Sequence, residues 1–438
     1  MDRGPLNSTE DMAAQPRHKV ADFSLLEQAN RCVMCGLCLP HCPTYLKTHA
    51  EAESPRGRIA LARALAQGDL TLTPRLASHI GTCLDCRACE KACPSGVAYG
   101  ELIVHTRALL KKEHGISRHG LIHRLAINAL TAGPLSLRVS AGLLRLYQRS
   151  GLQRLLRRTG VLRLLGLARL DAALPAVTPV ARWREFYPAS GPRAGEVALF
   201  TGCVANITDR RTLDACIAVL TRMGYDVRVP AGQGCCGSLH WHNGDRDRAE
   251  ALMRRNLRAF PAASVDAIIT SASGCGAMLK EYAVYLTADK SAPAFSDKVK
   301  DISQFLTEIA WPRRVPVAPL MKRVAVHDPC TLANVLRQED KPLELLRRIP
   351  GVEIIPLPDN HLCCGAAGTY HLAQPEMAHR LRAGKIEQLV RLKPDILATS
   401  NIGCAMFLES GLRAAGLDIE VVHPVVLLEK QLQVASGK

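Results

Sequence analysis

Aromatic residues are scarce in this 438-residue chain, with Phe, Trp and Tyr together making up 4%. Stacking of bases on aromatic rings is therefore excluded as a main binding mode. Long hydrophobic runs are also missing. No stretch of 18 apolar residues occurs, so no membrane-spanning helix is expected. Met1 to Ala21 carries Asp2, Glu10 and Asp11 and no apolar centre, so no secretory leader is expected there. Acidic residues are in deficit: 40 Asp and Glu stand against 56 Lys and Arg, a formal charge of +16. The rest of the composition, 47% hydrophobic and 22% charged, is that of a globular protein and excludes a disordered or fibrous chain. The length allows two to three domains.

Cysteine is in excess, at 17 residues. Without an export signal this points to the cytoplasm, where thiols hold metals more often than they form disulfides. Eight of them form two matching runs. Cys32, Cys35, Cys38 and Cys42 precede Pro43; Cys83, Cys86, Cys89 and Cys93 precede Pro94. This is the bacterial ferredoxin spacing, present twice. Two-residue gaps let one loop curl around a cubane and supply three thiolates, while the fourth must come from the opposite side. Crossed ligation is therefore expected: Cys32, Cys35, Cys38 and Cys93 for one [4Fe–4S] cluster, and Cys83, Cys86, Cys89 and Cys42 for the other. Zinc is the alternative, but zinc knuckles are paired Cys-x2-Cys units, not four-thiol runs ending in Cys-Pro. Helices are expected over 56–67, started by Ser54-Pro55 and stopped at Gly68, and over 101–112, stopping near Gly115.

The C-terminal half repeats itself. Cys330 follows Cys203 by 127 residues, the pair Cys363-Cys364 follows Cys235-Cys236 by 128, and Cys404 follows Cys275 by 129. Near-constant offsets across three landmarks indicate a duplication. Short apolar runs alternate with helix-length segments in each copy. Strands are expected at 197–200, 227–229 and 267–270, and again at 324–326, 352–355 and 396–399, giving a parallel α/β sheet per copy. The cysteines fall just past the strand ends, where open parallel sheets gather ligands. Each copy can therefore hold one further metal site, iron–sulfur or zinc, on Cys203, Cys235, Cys236 and Cys275 and on Cys330, Cys363, Cys364 and Cys404. Gly237 and Gly365 would let the backbone approach such a centre closely. Buried structural cysteine is the alternative, weakened by the matched second copy.

The expected architecture is α+β and multidomain. A helical two-cluster ferredoxin-like domain spans 22–115, a basic Leu/Arg-rich helical segment with a linker spans 116–195, and two duplicated α/β domains with short parallel sheets span 196–312 and 322–435. The segment from Glu101 to Pro175 holds 13 Lys and Arg against 3 Asp and Glu. Leu143, Leu144, Tyr147, Leu152, Leu155, Leu156, Leu162 and Leu165 recur at near-helical spacing, broken by Gly151, Gly160 and Gly166. Three readings fit: an amphipathic packing layer, contact with an anionic membrane surface, or docking to an acidic partner subunit. Nucleic acid is disfavoured, because only charge supports it.

Other signals carry less. Gly232, Gly234 and Gly237 match a dinucleotide fingerprint, but the second copy lacks the first two glycines and the double cysteine explains both copies. No phosphate-binding loop or nucleophile elbow occurs, so no catalytic residue is assigned. Cys216 has no counterpart and reads as core. His240, His242, His327, His361 and His371 lie near the cysteines and read as hydrogen-bonding or surface residues, not ligands.

Together these motifs resemble the family of iron–sulfur subunits of bacterial glycolate oxidase (glycolate dehydrogenase). The resemblance runs through Cys32–Pro43 with Thr44-Tyr45, the segment Ser54-Pro55-Arg56-Gly57-Arg58-Ile59-Ala60-Leu61, Cys83–Pro94 with Ser95-Gly96-Val97 and Tyr99-Gly100, and both Cys-Cys-Gly units. The same layout is similar to iron–sulfur subunits of anaerobic glycerol-3-phosphate dehydrogenase, to lactate-utilisation proteins and to heterodisulfide-reductase-like thiol/disulfide reductases. The resemblance implies an oxidoreductase subunit that takes electrons from FAD-binding dehydrogenase subunits and passes them to the membrane quinone pool. It implies a peripheral position on the cytoplasmic face of the inner membrane, with the organic substrate bound elsewhere. One departure matters. Heterodisulfide-reductase-type domains carry a fifth cysteine three residues after the last; here those positions are Met278 and Phe407. A five-thiolate centre and disulfide cleavage are therefore not expected.

Overall fold

The computed structural model describes residues 24–114, 125, 127–164, 166–168, 171, 174, 177–178 and 183–437. The leader reading of 1–21, the domain limits at 22 and 115–116, the stop near Gly115 and the linker residues Pro175 and Pro179 lie outside them.

The first region is helical. Ser54 caps the helix Pro55–Gln67 by accepting from the Gly57 N–H, Pro55 occupies its first turn, and Gly68 ends it in the left-handed conformation at φ 82. A second long helix, Tyr99–His114, packs across it. Ile59, Ala62, Ile80, Leu102 and Ile103 form the shared apolar interior.

The basic segment folds as Pro134–Arg149, Leu152–Arg158 and Val161–Leu164. Gly151, Gly160 and Gly166 all have positive φ, so the glycines break the segment as their spacing predicts.

Two α/β units follow. The first has a five-stranded sheet ordered β1-β3-β2-β4-β5: β1 Phe186–Tyr187, β2 Gly195–Phe200, β3 Tyr225–Arg228, β4 Ala267–Thr270 and β5 Val299–Asp301. All pairings are parallel except β1 with β3. The second unit is wholly parallel and ordered β7-β6-β8-β9: β6 Arg323–His327, β7 Glu353–Pro356, β8 Ile396–Thr399 and β9 Glu420–Val422. The six expected strands are present, and β1, β5 and β9 are additions at the sheet edges. The duplication extends to single hydrogen bonds. Gln233 accepts from the Thr201 N–H at 2.7 Å and donates to the Leu199 carbonyl at 3.1 Å. Asn360 does the same with Asp328 and Val326, both at 3.0 Å. The two units share one apolar layer, in which Val197 and Leu199 join Val324, Val326 and Ala398.

Candidate metal centres

The two cysteine runs adopt the same local geometry. Met34 and Asp85 have positive φ, as do Gly36 and Arg87, at matching places in the two loops. Left-handed residues between the thiols turn the chain back on itself within two residues, which is how short gaps face sulfurs inward. Cys32, Cys35, Cys38, Cys89 and Cys93 line one pocket with Ile59 and Tyr99. Burial pushes the Cys38 thiol up to about 11. Burial also pushes Cys89 well up, and Cys86, Cys83 and Cys42 add to it. Cys42 of the first run acts on thiols of both runs, raising Cys38 as well as Cys86 and Cys89.

The segment from Ser54 to Arg58 explains itself here. Arg56 donates to the Met34 carbonyl at 3.2 Å, tying down the first loop. Gly57 has no alternative, because a Cβ would lie 1.9 Å from the Glu51 carbonyl oxygen. Arg58 is 1% exposed and fastens both runs together. It donates to Glu53 at 2.6 Å, Thr44 at 3.1 Å, Thr82 at 2.9 Å and the His79 carbonyl at 2.7 Å. Thr44 in turn contacts Cys42 Sγ at 3.2 Å.

In the first repeat, Cys203 Sγ lies 3.6 Å from Cys235 Sγ, and Cys236 and Cys275 continue the chain of contacts. In the second, Cys330 meets Cys363, which meets Cys364, which meets Cys404. All four thiols of each copy come together from three strand ends. The Cys364 thiol is held well below the usual range by hydrogen bonds from Cys363 and Cys404 and by His327. Gly237 and Gly365 bring their N–H groups to Cys235 and Cys363 Sγ at 3.4 and 3.5 Å, and they have a further reason to be glycine. Both have positive φ, and a Cβ would press on the carbonyl oxygens of Ala249 and Ala378, 3.1 and 2.6 Å away. They make room for the next helix.

The remaining histidines divide. His240 bonds Thr131 at 2.8 Å, His242 bonds Asp85 at 2.6 Å and His371 contacts the Ala366 carbonyl at 3.2 Å. His361 is exposed beside His41. His327 differs: it is buried, and a ring nitrogen lies within 4.8 Å of the Cys364 and Cys404 sulfurs. Reading it as a hydrogen-bonding residue captured only its bond to Thr399. The signal that could have singled it out is its place at the end of a strand three residues before Cys330. Cys216 is fully buried core, as expected.

The regions meet at the thiols. After burial, Cys330 of the second repeat is the next influence raising Cys86. Asn334 donates to the Cys86 carbonyl at 2.8 Å, and Lys91 reaches the Ala333 carbonyl at 3.0 Å. Toward the first repeat, Arg87 pairs with Glu281, and Arg107 donates to the His242 carbonyl at 2.9 Å.

Sulfur-rich, buried donor sets fit thiophilic metals, which bind the thiolate and displace its proton. Sequence comparison agrees. Residues 28–97 match the model of a 4Fe-4S dicluster domain, and 197–280 and 324–409 each match a cysteine-rich domain. Residues 118–174 match the linker region of the glycolate oxidase iron-sulfur subunit. The chain is 36% identical over 411 residues to a probable glycolate oxidase iron-sulfur subunit of Bacillus subtilis strain 168, covering 91% of this chain and 92% of that protein. It is 33% identical over 443 residues to the glycolate oxidase iron-sulfur subunit of Escherichia coli strain K12, covering 97% and 98%. Lactate utilization protein A of Geobacillus thermodenitrificans strain NG80-2 is 30% identical over 232 residues, 52% of this chain and 96% of that one. The double cysteine run, the two Cys-Cys-Gly units and full-length likeness converge, and the chain belongs to the family of glycolate oxidase iron–sulfur subunits.

Proposed function

We propose that the chain relays electrons from FAD-binding subunits that oxidise glycolate, or a close 2-hydroxy acid, to the membrane quinone pool. In this reading Cys32, Cys35, Cys38 and Cys93 hold one [4Fe–4S] cluster and Cys83, Cys86, Cys89 and Cys42 the other. The thiols of each repeat hold a third and fourth centre, iron–sulfur or zinc. The domain limits 22–115, 116–195, 196–312 and 322–435 go with this division of labour. Clusters of this kind supply single-electron transfer when bound. The chain's residues set their spacing and exclude water. The observation that carries the proposal is the hydrogen bond from Asn334 to the Cys86 carbonyl at 2.8 Å, because it joins the second cysteine run to the second repeat.

A peripheral position on the cytoplasmic face of the inner membrane is supported by the helix Pro134–Arg149. Among the described residues no helix is long and apolar enough to cross a membrane. This helix buries Leu137 and Ala141 yet exposes Leu135, Val139, Leu143 and Leu146 on another face, at 54–74%. Arg138, Arg145 and Arg149 form the row between those faces, the layout of a helix lying on anionic lipid. A cavity of about 110 Å³ opens between the start of this helix and Cys203 and Cys235.

The test uses the anaerobically purified chain with and without its flavoprotein partners. Glycolate should bleach the cluster absorption only in the complex, and a quinone should restore it. Bleaching of the isolated chain by glycolate, or no dithionite-reducible EPR signal, would refute the relay.

A further inference from the structure

The two repeats are not chemically equivalent. The last residue of β2 is Phe200, paired with Thr270 of β4. The last residue of β6 is His327, paired with Thr399 of β8. The positions correspond in register, and both lie three residues before the first cysteine of their copy.

The donors at these positions differ. In the second repeat Thr399 Oγ1 bonds His327 Nδ1 at 2.9 Å and sets the ring plane. In the first, Thr270 Oγ1 has no partner, since a phenyl ring offers none. His327 is 2% exposed; its Nε2 makes no hydrogen bond of ordinary geometry, and the ring acts on the neighbouring Cys364 sulfur. Yet a ring nitrogen and the Cys364 and Cys404 sulfurs all lie within 4.8 Å of one another. An orphaned buried ring nitrogen is costly, and an imidazole whose other nitrogen is hydrogen-bonded is the form in which histidine binds metals. The same site differs once more: Asn401 Nδ2 donates to Cys404 Sγ at 3.5 Å, where the first copy has Ala272.

We infer that His327, through Nε2, is a ligand of the metal centre in the second repeat, together with Cys364 and Cys404. The first repeat then offers an all-thiolate site and the second a mixed thiolate–imidazole site. Neutral imidazole in place of a thiolate makes the centre less negative, which raises the potential of an iron–sulfur cluster, and Cys3His is equally a zinc donor set. The inference rests on the reading that the repeats hold metal.

Iron and zinc are first counted in the anaerobic wild-type chain and in Cys364→Ser, so that the metal lost identifies the occupant. Pulsed EPR of the reduced protein, or of the cobalt-substituted protein where zinc is lost, then reads directly bonded nitrogen. The expected result is a strong imidazole coupling in the wild type that changes on 15N-histidine labelling and disappears in His327→Ala. Retained ferredoxin-type signals show that the variant is folded; if they are lost too, the labelling result decides. Metal in the second repeat with no histidine coupling, or a coupling unchanged in His327→Ala, overturns the inference. No metal lost in Cys364→Ser overturns the underlying reading as well, so the two failures are distinct.

Discussion

Arg58 ties more of the first region together than any thiol does. Its guanidinium satisfies Glu53, Thr44, Thr82 and a carbonyl while 1% exposed. Removing one partner of a buried ion pair costs on the order of 3–5 kcal/mol. Arg58→Leu is therefore expected to lower the denaturant midpoint of cluster bleaching and the iron per chain, while Arg58→Lys, lacking the fork, falls between. An unchanged midpoint and iron count in Arg58→Leu would mean the network is dispensable. Asp301 allows a pH test. Burial pushes its carboxyl up to about 6; one oxygen caps Ser303 at 2.8 Å and the other has no partner. The folded form thus binds its proton more tightly than the unfolded form. Stability is gained as pH falls through about 6 and lost above it. Asp301→Asn keeps a capping side chain without the charge. It is expected to stabilise the chain by about 1–3 kcal/mol at pH 7.5 and less at pH 5. Far-UV denaturation curves at both values check this, and equal gains at both would exclude the titration.

At the scale of elements, the legible parts are those whose pattern is unambiguous. The central strands β2, β4, β6 and β8 are mostly or wholly buried and stand out as continuous apolar runs. The edge strands β5 and β9 are three residues long and carry Lys300 and Glu420, so no run announces them. The helix Pro134–Arg149 shows the opposite problem. Its leucine period was readable, but leucines occupy both the inward and the outward face, and spacing alone does not say which is covered. Leu143 and Leu146 proved 64% exposed. If this face rests on lipid, each leucine contributes roughly 1.5–3 kcal/mol of apolar transfer. Leu143→Glu with Leu146→Glu should then weaken binding to anionic phospholipid vesicles more than tenfold, and wild-type binding should fall as salt rises. Equal flotation of wild type and double variant would point instead to a partner subunit on this face.

For the whole molecule, local spacing suggests which thiols could share a centre but does not say which surfaces meet. The meeting of the second cysteine run with the second repeat depends on Asn334 and Lys91 finding carbonyls across a domain boundary, and nothing in either neighbourhood encodes the other. His327 was hidden for the same reason: its ring meets Cys404 only once β6 and β8 pair. The Asn334 contact also provides a label for the clusters. Asn334→Asp places a negative charge beside the Cys86 loop, so it should lower the potential of the nearer ferredoxin cluster more than that of the farther one, because the interaction falls with distance. Crossed ligation then makes a specific demand on Cys42, which belongs by sequence to the first run but adds to the burial that raises the Cys86 and Cys89 thiols. Cys42→Ser should remove or shift the potential that Asn334→Asp moves more, and Cys38→Ser should affect the other. Redox titration followed by EPR reads both. If Cys42→Ser instead leaves the potential sensitive to Asn334 intact and abolishes the one that Cys38→Ser affects, each run holds its own cluster, and Pro43 turns the chain away from the second centre instead of delivering Cys42 to it.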